Sequence, residues 1–520
     1  MENPIAFLHP GPDEKKSSFR HWIVAFIVCN FNVDLGPEIE LVYPPNTPFS
    51  QSDLSAICFN SFPERHDADV TEDLGFQFTI RNNSPNVRLE SPNAPYGSAT
   101  LLHGNCIFRQ EFDTTIKRSF NQRTMCIISN QPFPALFMHV LQRMTSETDF
   151  SNPNVLEQAF LHIASWPTPS VGSHSLPFMG SVLPFEIAPH AAFPLQGLRS
   201  AQLLSSSSAF MESQRLIHAY EPVGDWEKLL PHFPSISELF VLFERLILCE
   251  SIIVFSRSPQ LCSEMVSALV DLVKPIPYAA ICRPYMTMQS EFSGTGASRG
   301  LPRQFLIGIT NPFMLQRILG LAEELNITRP HVISLGPSDK SVRIKSQNSQ
   351  KRKDHHTMDF PSGMDAQNTS KRYIKTDREF AGTVESLLRG TLSSSHSSAN
   401  EDVGSFVRRY FGQLTAQFLA PFNRYFASTA QAASTTDTAF PSTTRPDAPQ
   451  YASFSLTAFL ASLGKHGTGV TFRGQAPLQR HRARDAMYTA FCSSPNFYAW
   501  LEMKLGLEKE ATAGLLGSGE

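Results

Sequence analysis

Between Pro234 and Leu335 short apolar runs of strand character alternate with helix-opening signals, and no other feature constrains the fold as much. Ser251–Phe255 (SIIVF), Ala279–Thr287, Gln304–Thr310 and Val332–Leu335 read as strands. Ser258 with Pro259 opens a helix running to Val273, and Asn311 with Pro312 opens another over Phe313–Leu319. Ser and Asn offer a side-chain oxygen to the free N–H groups of a first turn, and Pro at the first helical position has no N–H to lose. Ser235 and Glu238 have capping-box spacing for a helix to Leu248. Strands separated by helices require crossover connections, so this block is expected to hold a mainly parallel, covered sheet.

A different pattern precedes it. Trp22–Cys29 (WIVAFIVC) is apolar on both alternating faces, and Asn32–Pro37 supplies turn chemistry before the strand-like Ile39–Tyr43, which predicts a hairpin. Ser52 is placed to cap a short helix carrying Leu54, Ile57 and Cys58, and Phe76–Arg81, Ser98–Phe108 and Met125–Ser129 read as further strands. Two amphipathic stripes follow, Leu136 to Met144 and Val155 to Ile163. The order ββαβββαα over residues 20–165 implies an antiparallel α+β module of five strands.

The rest divides by composition. Residues 1–19 are expected to be disordered, 166–232 to be a Pro/Ser/Ala-rich linker with a short extended piece at Leu176–Pro189, 233–336 to be the α/β module, and 337–370 to be a polar, basic, disordered insertion. Residues 371–505 read as helices with internal linkers near 391–400 and 427–450, leaving 506–520 as a tail; the firmest helix, 405–422, repeats Phe406, Tyr410, Leu414, Phe418 and Phe422.

Lys+Arg 44 against Asp+Glu 47 gives a net charge of −3, so no global positive field attracts nucleic acid or anionic lipid, and any such binding has to be local. The most apolar stretch, Glu238–Phe255, carries Glu238, Glu244, Arg245 and Glu250 and reads as helix then strand rather than as a membrane span. Asp13 and Glu14 stand where a secretory signal would be basic. Eight cysteines without CxxC spacing, most of them in apolar runs, fit a reduced, cytoplasmic setting.

Catalytic motifs are sparse. Gly296–Gly300 (GASRG) matches the G-x-S-x-G string, but a Gly/Ser loop leading into a strand has the wrong context for a nucleophile elbow. His355–His356 falls in the polar insertion. The basic run 340–353 has three readings: a solvated loop, a nuclear import signal, or a contact with acidic lipid headgroups. No pattern supplies a nucleophile, an acid/base pair, a metal site or a phosphate loop, so binding is a better expectation than covalent chemistry.

Several short tags occur in order: Phe31–Pro44 with Ile57–Pro63 (FNVDLGPEIELVYP…ICFNSFP), Pro177–Gly180, Arg283–Tyr285 (RPY), Ile307–Phe313 (IGITNPF), Arg408–Phe411 (RRYF) and Ser494–Phe497 (SPNF). With them the chain resembles the DENN-domain family, specifically the DENN domain-containing protein 6 subfamily, over about residues 20–505. The resemblance implies a longin-like upstream module, a central DENN α/β module and a helical downstream part. It implies a guanine-nucleotide exchange factor for a Rab-type small GTPase in vesicle traffic, cytoplasmic and peripheral to endosomal or other vesicle membranes, with no cofactor of its own. A GTPase-binding scaffold or a vesicle adaptor is the alternative. Asn311–Phe313 follows a strand, at the edge where open α/β sheets place ligands. The expected partner surface therefore joins Asn311 and Phe313 to Arg283, Tyr285 and the turn at Asp34, with Arg408 and Arg409 as a further contact. Capping by Asn311 and burial of Phe313 are the competing structural reading.

Overall fold

The computed structural model describes residues 13–32, 34–47, 49–64, 72–83, 101–114, 120–146, 150, 152–188, 216–289, 301–336, 372–389, 402–436 and 454–517. The expected insertion at 337–370, with its basic run and His355–His356, and the GASRG loop lie outside them. The described fold is mixed, with antiparallel and parallel sheets, and it groups into two compact units: Met1–Asp225, Ser251–Asp271 and Ala279–Ile333 in the first, and Trp226–Glu250, Leu272–Tyr278 and Ser334–Glu520 in the second.

The first unit opens with α1 (Asp13–Arg20), β1 (Ala25–Asn32), β2 (Gly36–Tyr43), α2 (Gln51–Asn60), β3 (Leu74–Arg81), β4 (Leu101–Phe112), β5 (Phe120–Ser129), α3 (Pro134–Thr145) and α4 (Pro153–Ala164). The five strands form an antiparallel sheet in the order β2-β1-β5-β4-β3. The hairpin turn follows the expected chemistry: the Asn32 side chain accepts from Asp34 and Leu35 N–H, and Gly36 supplies a φ of +91°. Helix α1 corrects the expectation of disorder over 1–19 as far as residues 13–19 are concerned. Phe19 is fully buried and packs on Phe26 and Phe160, which outweighs a short polar helix's low intrinsic stability. The cap of α2 is Ser50, whose hydroxyl accepts from Asp53 N–H, rather than Ser52.

The expected linker at 166–232 is also corrected. Its two ends build a three-stranded sheet from β6 (Gly172–Phe178), β7 (Ser181–Ile187) and β8 (Ile217–His218). Met179 and Gly180 both take positive φ, the geometry that closes a two-residue hairpin. The inward residues Leu176, Phe178, Leu183, Phe185 and Ile187 join Trp22, Trp166 and the α3–α4 stripes in one core.

A parallel sheet completes this unit: β9 (Ile252–Phe255), β10 (Ile281–Met286) and β11 (Phe305–Ile309), with β12 (His331–Ser334) beginning beside the start of β9. The order is β10-β11-β9-β12. Helix α7 (Pro259–Leu272) follows β9 and α8 (Pro312–Glu324) follows β11, both opened by the expected Ser258 and Asn311 oxygens. Gly308 lets the strand approach its neighbours, because a Cβ there would run into the Pro284 carbonyl and the Cys262 side chain.

The second unit is helical: α5 (Trp226–Leu229), α6 (Glu238–Ile247), α9 (Arg378–Leu388), α10 (Val403–Thr436), α11 (Leu456–His466), α12 (Pro477–Cys492) and α13 (Pro495–Gly517). The capping box expected at Ser235 and Glu238 does not form; Ser237 is the cap and uses no side-chain bond. Helix α10 runs past the expected linker boundary at 427, and α13 past the expected tail boundary at 506. Pro421 cannot bond the Gln417 carbonyl, and the Thr468 hydroxyl donates to that carbonyl instead. Phe422 of the periodic stripe stacks on Phe459 at 4.2 Å between centroids and meets Tyr488, Phe491, Phe497 and Trp500.

Glu244 on α6 is 5% exposed. Its carboxylate accepts from Tyr373 N–H at 2.9 Å and Ile374 N–H at 2.6 Å. The same short segment pairs with the chain at 471–473 through Lys375 N–H to Thr471 and Arg473 N–H to Tyr373. Burial pushes the Glu244 carboxyl up to about 7, against the two N–H bonds and the charges of Arg372 and Arg473, which favour the ionised form.

Two outcomes follow from these placements. Gly308→Ala should destabilise the protein by roughly 2 kcal/mol or more, because the added methyl has backbone rather than a movable side chain in its way; calorimetry showing an unchanged melting temperature would contradict the close approach. The folded chain holds a proton on Glu244 that the unfolded chain releases near its ordinary value of 4.5. The stabilisation from that proton is complete below this value, is lost as pH rises through about 7, and is on the order of 3 kcal/mol. Melting curves from about pH 5 to about pH 8 should therefore fall more steeply for the parent than for Glu244→Gln, and parallel curves would count against it.

Candidate functional site

The carboxyl ends of β9 and β11 lie side by side. From β9 the chain crosses to β10, and from β11 it crosses the other way to β12. The right-handed crossover rule sends the two connecting helices to opposite faces, and strand ends at such a reversal are where open α/β sheets place ligands. The two ends are tied together by hydrogen bonds: Ser256 N–H donates to the Ile309 carbonyl, and Ser258 N–H donates to the Ser256 hydroxyl. Asn311 holds the first turn of α8 by accepting from Phe313 N–H at 2.9 Å.

Two side chains project from this edge. Phe313 is 59% exposed. Arg257, in the turn between β9 and α7, is exposed as well. Beneath them Glu64, beyond the end of α2, braces the strand ends. Its carboxylate accepts from Met288 N–H and from the Asn311 side chain, and its own N–H donates to the Tyr285 hydroxyl at 3.0 Å. Burial raises the Glu64 carboxyl, with the Met288 and Asn311 bonds acting in opposition.

The expected surface residues separate into two groups. Asp34 is exposed in the β1–β2 turn, and Asn311 and Phe313 are in the turn after the carboxyl end of β11. Arg283 and Tyr285 are buried, at 4% and 0% exposure, so the surface role expected for them is corrected. Both side chains turn toward β3: Phe76 meets the Tyr285 ring edge-on at 5.4 Å, Arg283 donates to the Thr79 hydroxyl, and that hydroxyl donates to the Cys282 carbonyl. Pro284 between them is tolerated because β10 is an edge strand. Burial, followed by the Arg283 charge, holds His103 down at about 4. Arg408 and Arg409 are half-buried on α10 in the second unit, and the Arg409 guanidinium lies over the Phe406 ring.

Sequence reasoning passed over Arg257 and Glu64. The strand-end rule applied to Asn311 would have found Arg257 had it been applied equally to Ser251–Phe255. Glu64 carries no local signal, since its partners are more than two hundred positions away. Among the described residues no group of three or more His, Cys, Asp and Glu is arranged to hold a metal ion. No described helix is long and apolar enough to cross a membrane.

Arg283→Ala removes a buried hydrogen-bonding cation and should lower stability by roughly 1–3 kcal/mol. A variant that melts like the parent would show that the β3–β10 contacts contribute little.

Comparison with known proteins gives the family context. No family model matches the chain. Protein DENND6A of Gallus gallus is 27% identical over 96% of this chain and 81% of its own length. Protein DENND6B of Homo sapiens is 27% identical over 94% and 81%, and the DENND6 homolog of Dictyostelium discoideum is 24% identical over 78% and 62%. Taken with the ordered tags, these matches show the chain to be a relative of the DENN domain-containing protein 6 subfamily over most of its length.

Proposed function

We propose that this chain is a guanine-nucleotide exchange factor for a Rab-type small GTPase, acting in the cytoplasm and peripherally on vesicle membranes. In this reading the five-stranded module is the longin-like upstream part, the parallel sheet is the central DENN module, and the second unit is the downstream part. The observation that carries it is Phe313, a large aromatic side chain left exposed at the carboxyl end of the parallel sheet in a chain similar to DENND6 proteins. Arg257 at the same end of the sheet adds a residue type favoured at binding hot spots. Asp34 is a further proposed contact, while Asn311, Glu64, Tyr285 and Arg283 hold the surface from beneath.

Exchange of this kind needs no covalent step. A GTPase that holds its nucleotide at about nanomolar affinity has roughly 12 kcal/mol of binding energy to be offset. A partner that binds the nucleotide-free switch conformation more tightly weakens the nucleotide by the same coupling factor. Apolar and cationic contacts that draw a switch segment away from phosphate and Mg²⁺ are sufficient. The nucleotide and the metal belong to the GTPase.

Release of a fluorescent guanine nucleotide from a panel of Rab GTPases tests the reading directly. Phe313→Ala should slow release from the responsive GTPase by roughly tenfold or more, about 1.4 kcal/mol, at an unchanged melting temperature. Binding without acceleration across the whole panel would make the chain a scaffold, and an unaffected Phe313→Ala rate would move the contact elsewhere.

A further inference from the structure

Every residue from Arg473 to Arg482 is exposed, in the segment that leads into and begins α12. It contains Arg473, Arg480, His481 and Arg482 and no carboxylate. Leu478 stands among them at 60% exposure. The backbone here is ordered by its own bonds rather than by burial: Gln479 Oε1 accepts from Gln475 and Ala476 N–H, closing the turn ahead of the helix. Gly474, at a φ of +136°, permits the close approach of that turn to Gln479.

More positive charge converges from α11. Arg484, one turn beyond Arg480, donates to the Leu463 carbonyl at 3.4 Å, which brings the end of α11, with exposed Lys465 and His466, against the start of α12. The Arg424 guanidinium, also exposed, donates to the Gly467 carbonyl just beyond. Asp485 is the nearest carboxylate along α12, and it is engaged by Arg484 at 2.7 Å.

This arrangement works against the helix that carries it. Arg480, His481 and Arg482 occupy the opening turns of α12, where the macrodipole is positive and carboxylates are the stabilising choice. A chain with a net charge of −3 thus concentrates cations on one exposed, ordered segment at some cost to local stability. An anionic partner offsets that cost.

We propose that the start of α12 and the end of α11 form a docking surface for the anionic lipid face of a bilayer, with Lys465, Arg473, Arg480 and Arg482 against headgroups and Leu478 entering the acyl boundary. A bilayer is favoured over an acidic protein by shape and composition. A protein partner of standard size requires a packed patch of about 800 Å² on each side, whereas here a single large apolar side chain, Leu478, stands exposed among cations. One apolar anchor ringed by basic residues suits the headgroup layer, where each Lys or Arg strengthens binding roughly fivefold. The inference concerns the second unit alone and does not depend on exchange activity.

The test is co-sedimentation of the full chain with phosphatidylcholine vesicles with and without phosphatidylserine. Binding is expected only to the phosphatidylserine vesicles and should weaken as salt is raised. The double variant R480E/R482E should reduce it by roughly tenfold or more, and Leu478→Ala should lower the binding that survives at high salt. Because these side chains are exposed and carboxylates suit the start of a helix, the melting temperature should not fall, and nucleotide release from a soluble GTPase should stay at the parental value, which separates failure here from failure of the exchange reading. Absence of binding by the parent, equal binding by R480E/R482E, or binding to soluble polyglutamate but not to vesicles would each overturn the proposal, the last in favour of an acidic protein partner.

Discussion

One open edge of the five-stranded sheet, β3, and one open edge of the parallel sheet, β10, cover each other, and the geometry of the first unit depends on that closure. An exposed strand edge invites pairing with another chain. Here the two edges do not merge into one ladder; side chains bridge them. Thr79 bonds the Cys282 carbonyl, Arg283 bonds Thr79, and Tyr285 enters the core formed by Phe76, Phe78 and Phe108. Each bond contributes about 1 kcal/mol and the aromatic pair about as much beyond its burial. Together they fix where the carboxyl ends of β10 and β11 stand, and with them the turn that presents Phe313.

Both units use the same device to hold distant chain segments. In the first, Glu64 captures the N–H of Met288; in the second, Glu244 captures those of Tyr373 and Ile374. A carboxylate can accept two N–H donors from strand-like backbone that has no ladder partner on that side. Burial opposes the ionised form in both, so each clasp joins a structural contact to a titration. The price in charge desolvation is met by ordering backbone that would otherwise leave donors unpaired.

The candidate site was legible only in its local half. Asn311 and Pro312 announced a strand-to-helix turn, and that turn is where it was expected. Arg283 and Tyr285 are interior where a surface was expected, because an edge strand has two faces and the local sequence RPY does not say which one another sheet will cover. Arg and Tyr suit a binding hot spot and a polar-tipped core contact equally well. The hairpin β6–β7 was masked for a related reason: the Pro/Ser/Ala composition around it outweighed the short alternation of Leu176, Phe178, Leu183 and Phe185.

By itself the sequence determined the local elements: periodicity of 2 and of 3.6, caps at Ser258 and Asn311, and the turn at Asn32–Gly36, because these depend on interactions within a few residues. It also determined the contrast between an antiparallel first sheet and a parallel second one, since the presence or absence of an intervening helix dictates strand direction. Tertiary structure alone decided which strand edges meet, that Arg283 and Tyr285 are interior while Phe313 and Arg257 are exposed, and that Glu64 and Glu244 hold backbone far away in the chain. Those outcomes arise from pairings more than a hundred residues apart, and no local propensity encodes which distant surface will remove water from a given face.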